Sequence, residues 1–325
     1  MQLDVPNIGV LGAGAFGTAL AIAISQADRA VWLWARDADQ ARQMQAERRN
    51  SRRLGRAPFP DGMQVTASTY DMADTPTLLL AVPTQQLRAV LSEHRDDLAG
   101  AVLIACCKGV ELGTGLLPTE VIEDVLPSAQ AGVLTGPSFA DDIALGKPTA
   151  LTLACVGKHL EMLQRDVATH HLRVYLTDDV IGAQLGGALK NVIAIAAGIT
   201  MGAGLGESAR AALMTRGFSE MNRLAQARGA HAETLLGLSG LGDLVLTCTS
   251  ERSRNYRHGL AIGAGQVPDD SVTVEGVKTA EALAANADPD TLPVTCMVAA
   301  LCQGQVSLEQ ATDLLLSRPL RAERG

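Results

Sequence analysis

The sequence predicts an α/β chain in two parts: a doubly wound domain built on a parallel sheet, followed by an all-α domain. Three observations predict it. Short apolar runs recur through the first half, a glycine-rich turn joins the first of them to a helical stretch, and after Asp178-Asp179 the runs give way to Ala-rich segments. The runs are apolar on both parities, as strands covered on both faces of a parallel sheet should be.

Taken in order, residues 7–11 (NIGVL) form the first strand and end in Gly12-Ala13-Gly14-Ala15-Phe16-Gly17. A helix over 18–26 and a second strand over 30–34 complete one βαβ unit. Further strands are expected at 78–82, 101–105, 132–134, 150–154 and 172–176, with helices at 85–92 and 119–125. Segment 46–58 (AERRNSRRLGRAP) reads as a basic surface stretch, and the tail RPLRAERG as frayed. In the second half helices are expected at 180–200, 207–228, 252–263, 277–285 and 294–303, the first capped by Asp178 or Asp179. The boundary falls near 178–182, giving domains 1–179 and 180–325.

Composition narrows the function. With 325 residues, 47% hydrophobic and 19% charged, the chain has an ordinary globular balance, which excludes a disordered or fibrous protein. Aromatics are 3%, so the core must be aliphatic, which argues against base-stacking platforms for single-stranded nucleic acid. A net charge of −8 argues against general nucleic-acid or anionic-membrane partners. The N-terminal stretch lacks the pattern of a signal peptide, and no apolar run reads as a membrane span. Six cysteines without a C-x-x-C pair, and scattered histidines, point to reduced thiols in a cytoplasmic protein and to no metal.

The glycine turn sits between a strand and a helix, the context that gives G-x-G-x-x-G its meaning in a Rossmann domain. Gly12 permits the tight turn, Gly14 lets a pyrophosphate approach the backbone, and Gly17 lets the helix pack on the strand. The helix N-terminus then offers N–H groups to phosphate. At the end of the second strand, where an NAD site commonly places an acid, stand Ala35 and then Arg36. A guanidinium there suits a 2′-phosphate, so NADP(H) is favoured; Asp37 keeps NAD(H) open, and a solvated Arg36 is the alternative.

Other segments are hard to explain as packing. Cys106-Cys107-Lys108-Gly109 places a lysine at the carboxyl end of a strand, and Thr135-Gly136-Pro137-Ser138-Phe139-Ala140 follows another. Gly186-Gly187-Ala188-Leu189-Lys190-Asn191 puts Lys190 on a helix, with small residues on its face that would leave room for a ligand. Lys190 has apolar flanks, unlike a snorkelling surface lysine. Asp243 lies beside the glycines of Gly240-Leu241-Gly242 and either serves the site or caps a helix; Arg254 either binds phosphate or belongs to a solvated face with Arg252 and Arg257.

Together GAGAFG, CKG, TGPSFA, QLGGALKNVIAIAAG, SGLGDLVLTCTSERSRN and VEG closely resemble the bacterial soluble NAD(P)-dependent glycerol-3-phosphate dehydrogenases, over residues 7–303. The resemblance implies reversible reduction of dihydroxyacetone phosphate to sn-glycerol 3-phosphate by a homodimer that feeds phospholipid synthesis. It implies that Lys190 transfers the proton. Substrate would meet Lys108, Gly136, Ser138, Lys190, Asp243, Ser253, Arg254 and Asn255. The cofactor would meet Ala15, Phe16, Arg36, Lys108, Ala140, Arg254, Thr273 and Glu275, besides Gly12, Gly14 and Gly17. Ala15 and Phe16 replace hydroxyl-bearing residues common in the family, and Ser208 stands where Asn is expected. Two readings compete: a β-hydroxyacid dehydrogenase, which SRN and CKG suit less well than a phosphate monoester, and a non-catalytic NADP sensor, which leaves Lys190 and Asp243 without a purpose.

Overall fold

A computed structural model describes residues 6–55, 57–157, 160–269, 273–285 and 287–311. The expected frayed tail lies outside them. The chain divides into two compact units, 1–108 with 116–184, and 109–115 with 185–325. The division therefore falls later than the sequence suggests, and a short glycine-containing segment after Lys108 groups with the second unit. Residues 180–184 join the first unit through Gln184, whose side chain accepts from the Thr119 N–H at 2.9 Å and donates to the Thr119 hydroxyl at 2.8 Å.

The first unit holds an eight-stranded sheet: β1 (Ile8–Leu11), β2 (Val31–Trp34), β3 (Met63–Thr66), β4 (Thr77–Leu80), β5 (Val102–Ala105), β6 (Gln130–Thr135), β7 (Thr149–Cys155) and β8 (Leu172–Thr177). Their spatial order is β3-β2-β1-β4-β5-β6-β7-β8. Two apolar layers cover the sheet. Ala19–Ile24, Leu54, Phe59, Leu163 and Val167 pack on one face, and Leu87, Leu91, Val121 and Ile122 on the other. The order reverses between β1 and β4, which opens a crevice at the carboxyl ends of those strands, where open α/β sheets bind ligands.

Two features depart from the sequence reading. β3 was not expected, because MQVT is half polar; it is an edge strand with only its ends buried. The sheet is also not wholly parallel, since β6 and β7 run antiparallel. The helix joining them, Ala140–Ala144, has five residues and spans about 7 Å. A six-residue strand covers about 20 Å, so that helix cannot carry the chain back to the other end of the sheet. Segment 46–58 is not a mere surface stretch either: Arg49, Arg52 and Arg53 are exposed, but Asn50 and Leu54 are buried.

Among the described residues from Val180 onward the helices are Val180–Gly202, whose first five residues group with the first unit, then Glu207–Ala227, Arg254–Gly263, Glu275–Ala284 and Pro293–Cys302, with short ones at Ala232–Leu236 and Asp243–Cys248 that the sequence reading missed. Asp179 caps the first, its carboxylate accepting from the Gly182 N–H at 2.8 Å. By length and composition Val180–Gly202 could cross a membrane, but 89% of its most apolar stretch is buried inside the protein, as in a core helix. Four glycines let it cross Arg254–Gly263 at backbone contact. A Cβ on Gly198 would fall 2.1 Å from the Tyr256 carbonyl oxygen, and one on Gly259 would fall 2.0 Å from that of Ile195; Gly202 and Gly263 repeat the arrangement one turn on. This close approach fixes the start of Arg254–Gly263 beside the middle of the long helix.

Candidate active site

In the first unit the glycine turn is tied to its neighbouring strands: the Gly12 N–H donates to the Trp34 carbonyl at 3.1 Å, and the Ala81 N–H to that of Leu11 at 2.8 Å. Gly12 has φ +121°, and a Cβ there would meet the Ala81 carbonyl at 2.7 Å. A Cβ on Gly17 would fall 2.1 Å from the Gly12 carbonyl, whereas one on Gly14 would meet nothing within 4 Å. The first and third glycines thus serve sterics, and the second faces open space. Gly14 also caps the helix Ala15–Ser25, which has no acidic residue in its first turn and no side-chain cap. This N-terminus fits a diphosphate by shape and by dipole.

Ala15 and Phe16 begin that helix and are half-buried against the core. At the end of β2, Ala35 is buried and its N–H donates to the Thr66 carbonyl at 2.9 Å, so Arg36 is the first exposed side chain. Asp37 is engaged elsewhere: its carboxylate accepts from the Gln40 N–H at 2.8 Å and caps Ala38–Glu47. The structure also brings Lys108, Gly136 and Ser138 together. The Gly136 carbonyl accepts from the Lys108 ammonium at 3.2 Å and from the Ser138 hydroxyl at 3.3 Å. Gly136 has φ +138°, which turns the chain out of β6. Ala140 opens the short helix that follows.

In the second unit Lys190 is buried in the middle of Val180–Gly202. Its ammonium donates to the Asp243 carboxylate at 2.9 Å and to the Thr247 hydroxyl at 2.7 Å. The carboxylate is 1% exposed. Asp243 sits where a π-helical turn, Leu238–Gly242, runs into the helix Asp243–Cys248. Such turns recur at functional sites because they re-aim a side chain. Asp243 is therefore not just a helix cap. Gly186 has a different role from the expected one: a Cβ there would strike the Ser239 carbonyl at 2.6 Å, so it seats the π-turn on the long helix and clears no space for a ligand.

A buried ion pair adds little net stability compared with an apolar pair of the same size, because desolvation offsets the attraction. Stability alone does not account for Lys190 and Asp243. The neighbouring Cys248 is no nucleophile, since burial, opposed in part by the Lys190 charge, pushes its thiol up to about 12. Among the described residues no group of three or more His, Cys, Asp or Glu could hold a metal ion.

Ser253 is buried and caps Arg254–Gly263, accepting from the Tyr256 N–H at 3.2 Å, and Arg254 is exposed at the first position of that helix. The Asn255 amide donates to the Asn191 side chain at 2.9 Å and accepts from the Gly276 N–H at 3.0 Å. It thereby holds the start of Glu275–Ala284 against the residue after Lys190. Glu275 is half-buried there, Thr273 is exposed just before it, and Ser208 is exposed in the first turn of Glu207–Ala227. Sequence reasoning missed Thr247 and Asn191. Thr247 lies four residues after Asp243, hence on the same helix face, and that spacing could have found it.

Comparison with known proteins decides the family. Residues 7–161 match the N-terminal, and residues 179–313 the C-terminal, pattern described as NAD-dependent glycerol-3-phosphate dehydrogenase. The chain belongs to the NAD-dependent glycerol-3-phosphate dehydrogenase family. Curated relatives named glycerol-3-phosphate dehydrogenase (NAD(P)+) include that of Roseobacter denitrificans, 54% identical over 98% of this chain and all of the relative. Another, from Cereibacter sphaeroides, is 55% identical over 97% of this chain and all of the relative. The crystal structure of glycerol-3-phosphate dehydrogenase from Coxiella burnetii superposes with a TM-score of 0.90 at 36% identity, covering 96% of this chain and 98% of that one.

The ion pair supports one prediction. Asp243→Ala leaves the ammonium buried and unpaired, and should cost about 3–5 kcal/mol of stability. Lys190→Met combined with Asp243→Leu should recover most of that loss. Urea unfolding checks both; an Asp243→Ala protein as stable as the parent would contradict the buried pair.

Proposed function

We propose that this chain interconverts dihydroxyacetone phosphate and sn-glycerol 3-phosphate with NAD(P)H, and that Lys190 is the proton donor and acceptor. The observation that carries the reading is the buried Lys190 ammonium, aimed by Asp243 and Thr247, in a chain of this family. When bound, the nicotinamide supplies the hydride. The ketone oxygen then gains negative charge, and a fixed ammonium stabilises that charge before giving up its proton. In the reverse direction the neutral amine takes the hydroxyl proton. Asp243 and Thr247 hold Nζ at one position throughout, so no reorganisation is needed at the moment of reaction.

Substrate binding is assigned to Lys108, Gly136 and Ser138, and phosphate binding to Arg254, an exposed guanidinium on the helix capped by Ser253. Asn255 is assigned a positioning role, because both ends of its amide are already bonded within the protein. Cofactor binding is assigned to Gly12, Gly14, Ala15, Phe16, Gly17, Arg36, Ala140, Thr273 and Glu275. NADP(H) is the favoured cofactor, since Arg36 is exposed at the end of β2 while Asp37 is occupied as a helix cap. Family membership supports a cytoplasmic homodimer supplying phospholipid synthesis.

Two kinetic experiments test the reading. Arg36→Asp should move preference from NADPH toward NADH by roughly ten- to a hundredfold in kcat/KM, the scale of a lost charge-assisted hydrogen bond; an unchanged ratio would sink the assignment. Lys190→Ala should lower kcat by about 10²–10⁴ while NADPH still binds. Lys190→Arg should rescue little, because a guanidinium does not release its proton. If either variant keeps more than about a tenth of the parent kcat, Lys190 is not the proton donor.

A further inference from the structure

The buried Asn50 side chain has no place in the chemistry above, yet it touches the glycine turn at two points. Its Nδ2 donates to the Ala13 carbonyl at 3.0 Å and to the Thr18 hydroxyl at 2.9 Å. Ala13 lies between Gly12 and Gly14, and the Thr18 N–H closes the first helical turn onto the Gly14 carbonyl at 3.0 Å. One amide therefore spans the strand side and the helix side of the same turn. The orientation of that amide is not interchangeable, because a carbonyl oxygen facing Ala13 would meet another acceptor.

Asn50 is itself held firmly. Arg48 is a left-handed residue that ends the helix Ala38–Glu47, and its guanidinium donates to the Met63 carbonyl at 2.8 Å. The Phe59 N–H donates to the Arg48 carbonyl at 2.8 Å, and Arg49 and Pro58 form an antiparallel bridge that closes the loop. Leu54 and Phe59 plug the loop into the core. The Asn50 Oδ1 is buried without a hydrogen-bond partner among the described residues. An orphaned acceptor costs stability, so packing alone does not explain an asparagine here.

We propose that Asn50 is a positioning residue for the dinucleotide, holding the Gly12–Gly14 turn in the shape that presents its N–H groups to the diphosphate. This rests on the reading that the turn binds the cofactor. The diphosphate is common to NADPH and NADH, so Asn50 governs affinity for both alike and leaves their ratio to Arg36.

The test is fluorescence titration of NADPH and of NADH, with steady-state kinetics and Tm, on Asn50→Ala, Asn50→Asp, Thr18→Val and Gly14→Val. Asn50→Ala should raise both Kd values about tenfold, the size of one to two lost hydrogen bonds, with their ratio unchanged. KM for the cofactor should rise more than kcat falls. Asn50→Asp keeps the shape but loses the donor, so it should weaken binding at least as much as Asn50→Ala; a role in filling space would leave it mild. If the Asn50 variants do not fold, Thr18→Val decides, with both Kd values expected to rise about threefold. Parental Kd values in folded Asn50 variants, or in Thr18→Val when those fail to fold, overturn the proposal. Weakened binding in Gly14→Val alone leaves the dinucleotide reading standing and sinks the role of Asn50. Parental binding in Gly14→Val as well sinks both.

Discussion

A lysine ammonium taken out of water must be paired, and pairing fixes its place. That constraint organises the second unit. The pair of Lys190 with Asp243 joins the long helix Val180–Gly202 to the π-turn at Leu238–Gly242, and Thr247 adds a second hold on the same nitrogen. Gly186 makes the approach possible, since any side chain there would strike the Ser239 carbonyl. Further along the same helix, Gly198 and Gly202 admit Arg254–Gly263 at backbone distance, which brings Asn255 onto Asn191. The small residues of this half thus permit close approach, which brings Asp243 to Lys190 and Asn255 to the residue after it.

The first unit meets a different constraint: a backbone that must leave N–H groups available at a helix start. Gly12 and Gly17 are fixed by contacts that exclude a side chain, and Gly14 is left open. The turn is held between β2 and β4 by backbone bonds, at the point where strand order reverses. In the proposed function a rigid turn of this kind binds the dinucleotide, and the buried lysine serves the proton. Both depend on groups held in place before the substrate arrives.

Much of this was legible in the sequence where a residue type permits only one solution. The glycine spacing fixed a strand–turn–helix, because left-handed φ and close packing exclude other residues there. Lys190 stood out because its flanks are apolar. Less was legible where polarity and geometry diverge. MQVT does not read as a strand, since an edge strand needs few apolar residues. Segment 46–58 looks basic because of its arginines, of which Arg49, Arg52 and Arg53 are exposed, while the single buried Asn50 carries no pattern. Gly186 shares a face with Lys190, yet which neighbour it meets is decided by residues far along the chain. The π-turn is set by the same tertiary packing and has no sequence period of its own.

The central claim is that Asp243 acts on the reaction through Lys190 and not by itself. A double-mutant cycle in kcat tests it, comparing Lys190→Ala, Asp243→Ala and the double variant with the parent. If Asp243 serves only to hold and charge the lysine, the double variant should be no slower than Lys190→Ala alone, as for residues that act as a unit. Losses that multiply, so that removing Asp243 slows the Lys190→Ala enzyme as much as it slows the parent, would contradict the account.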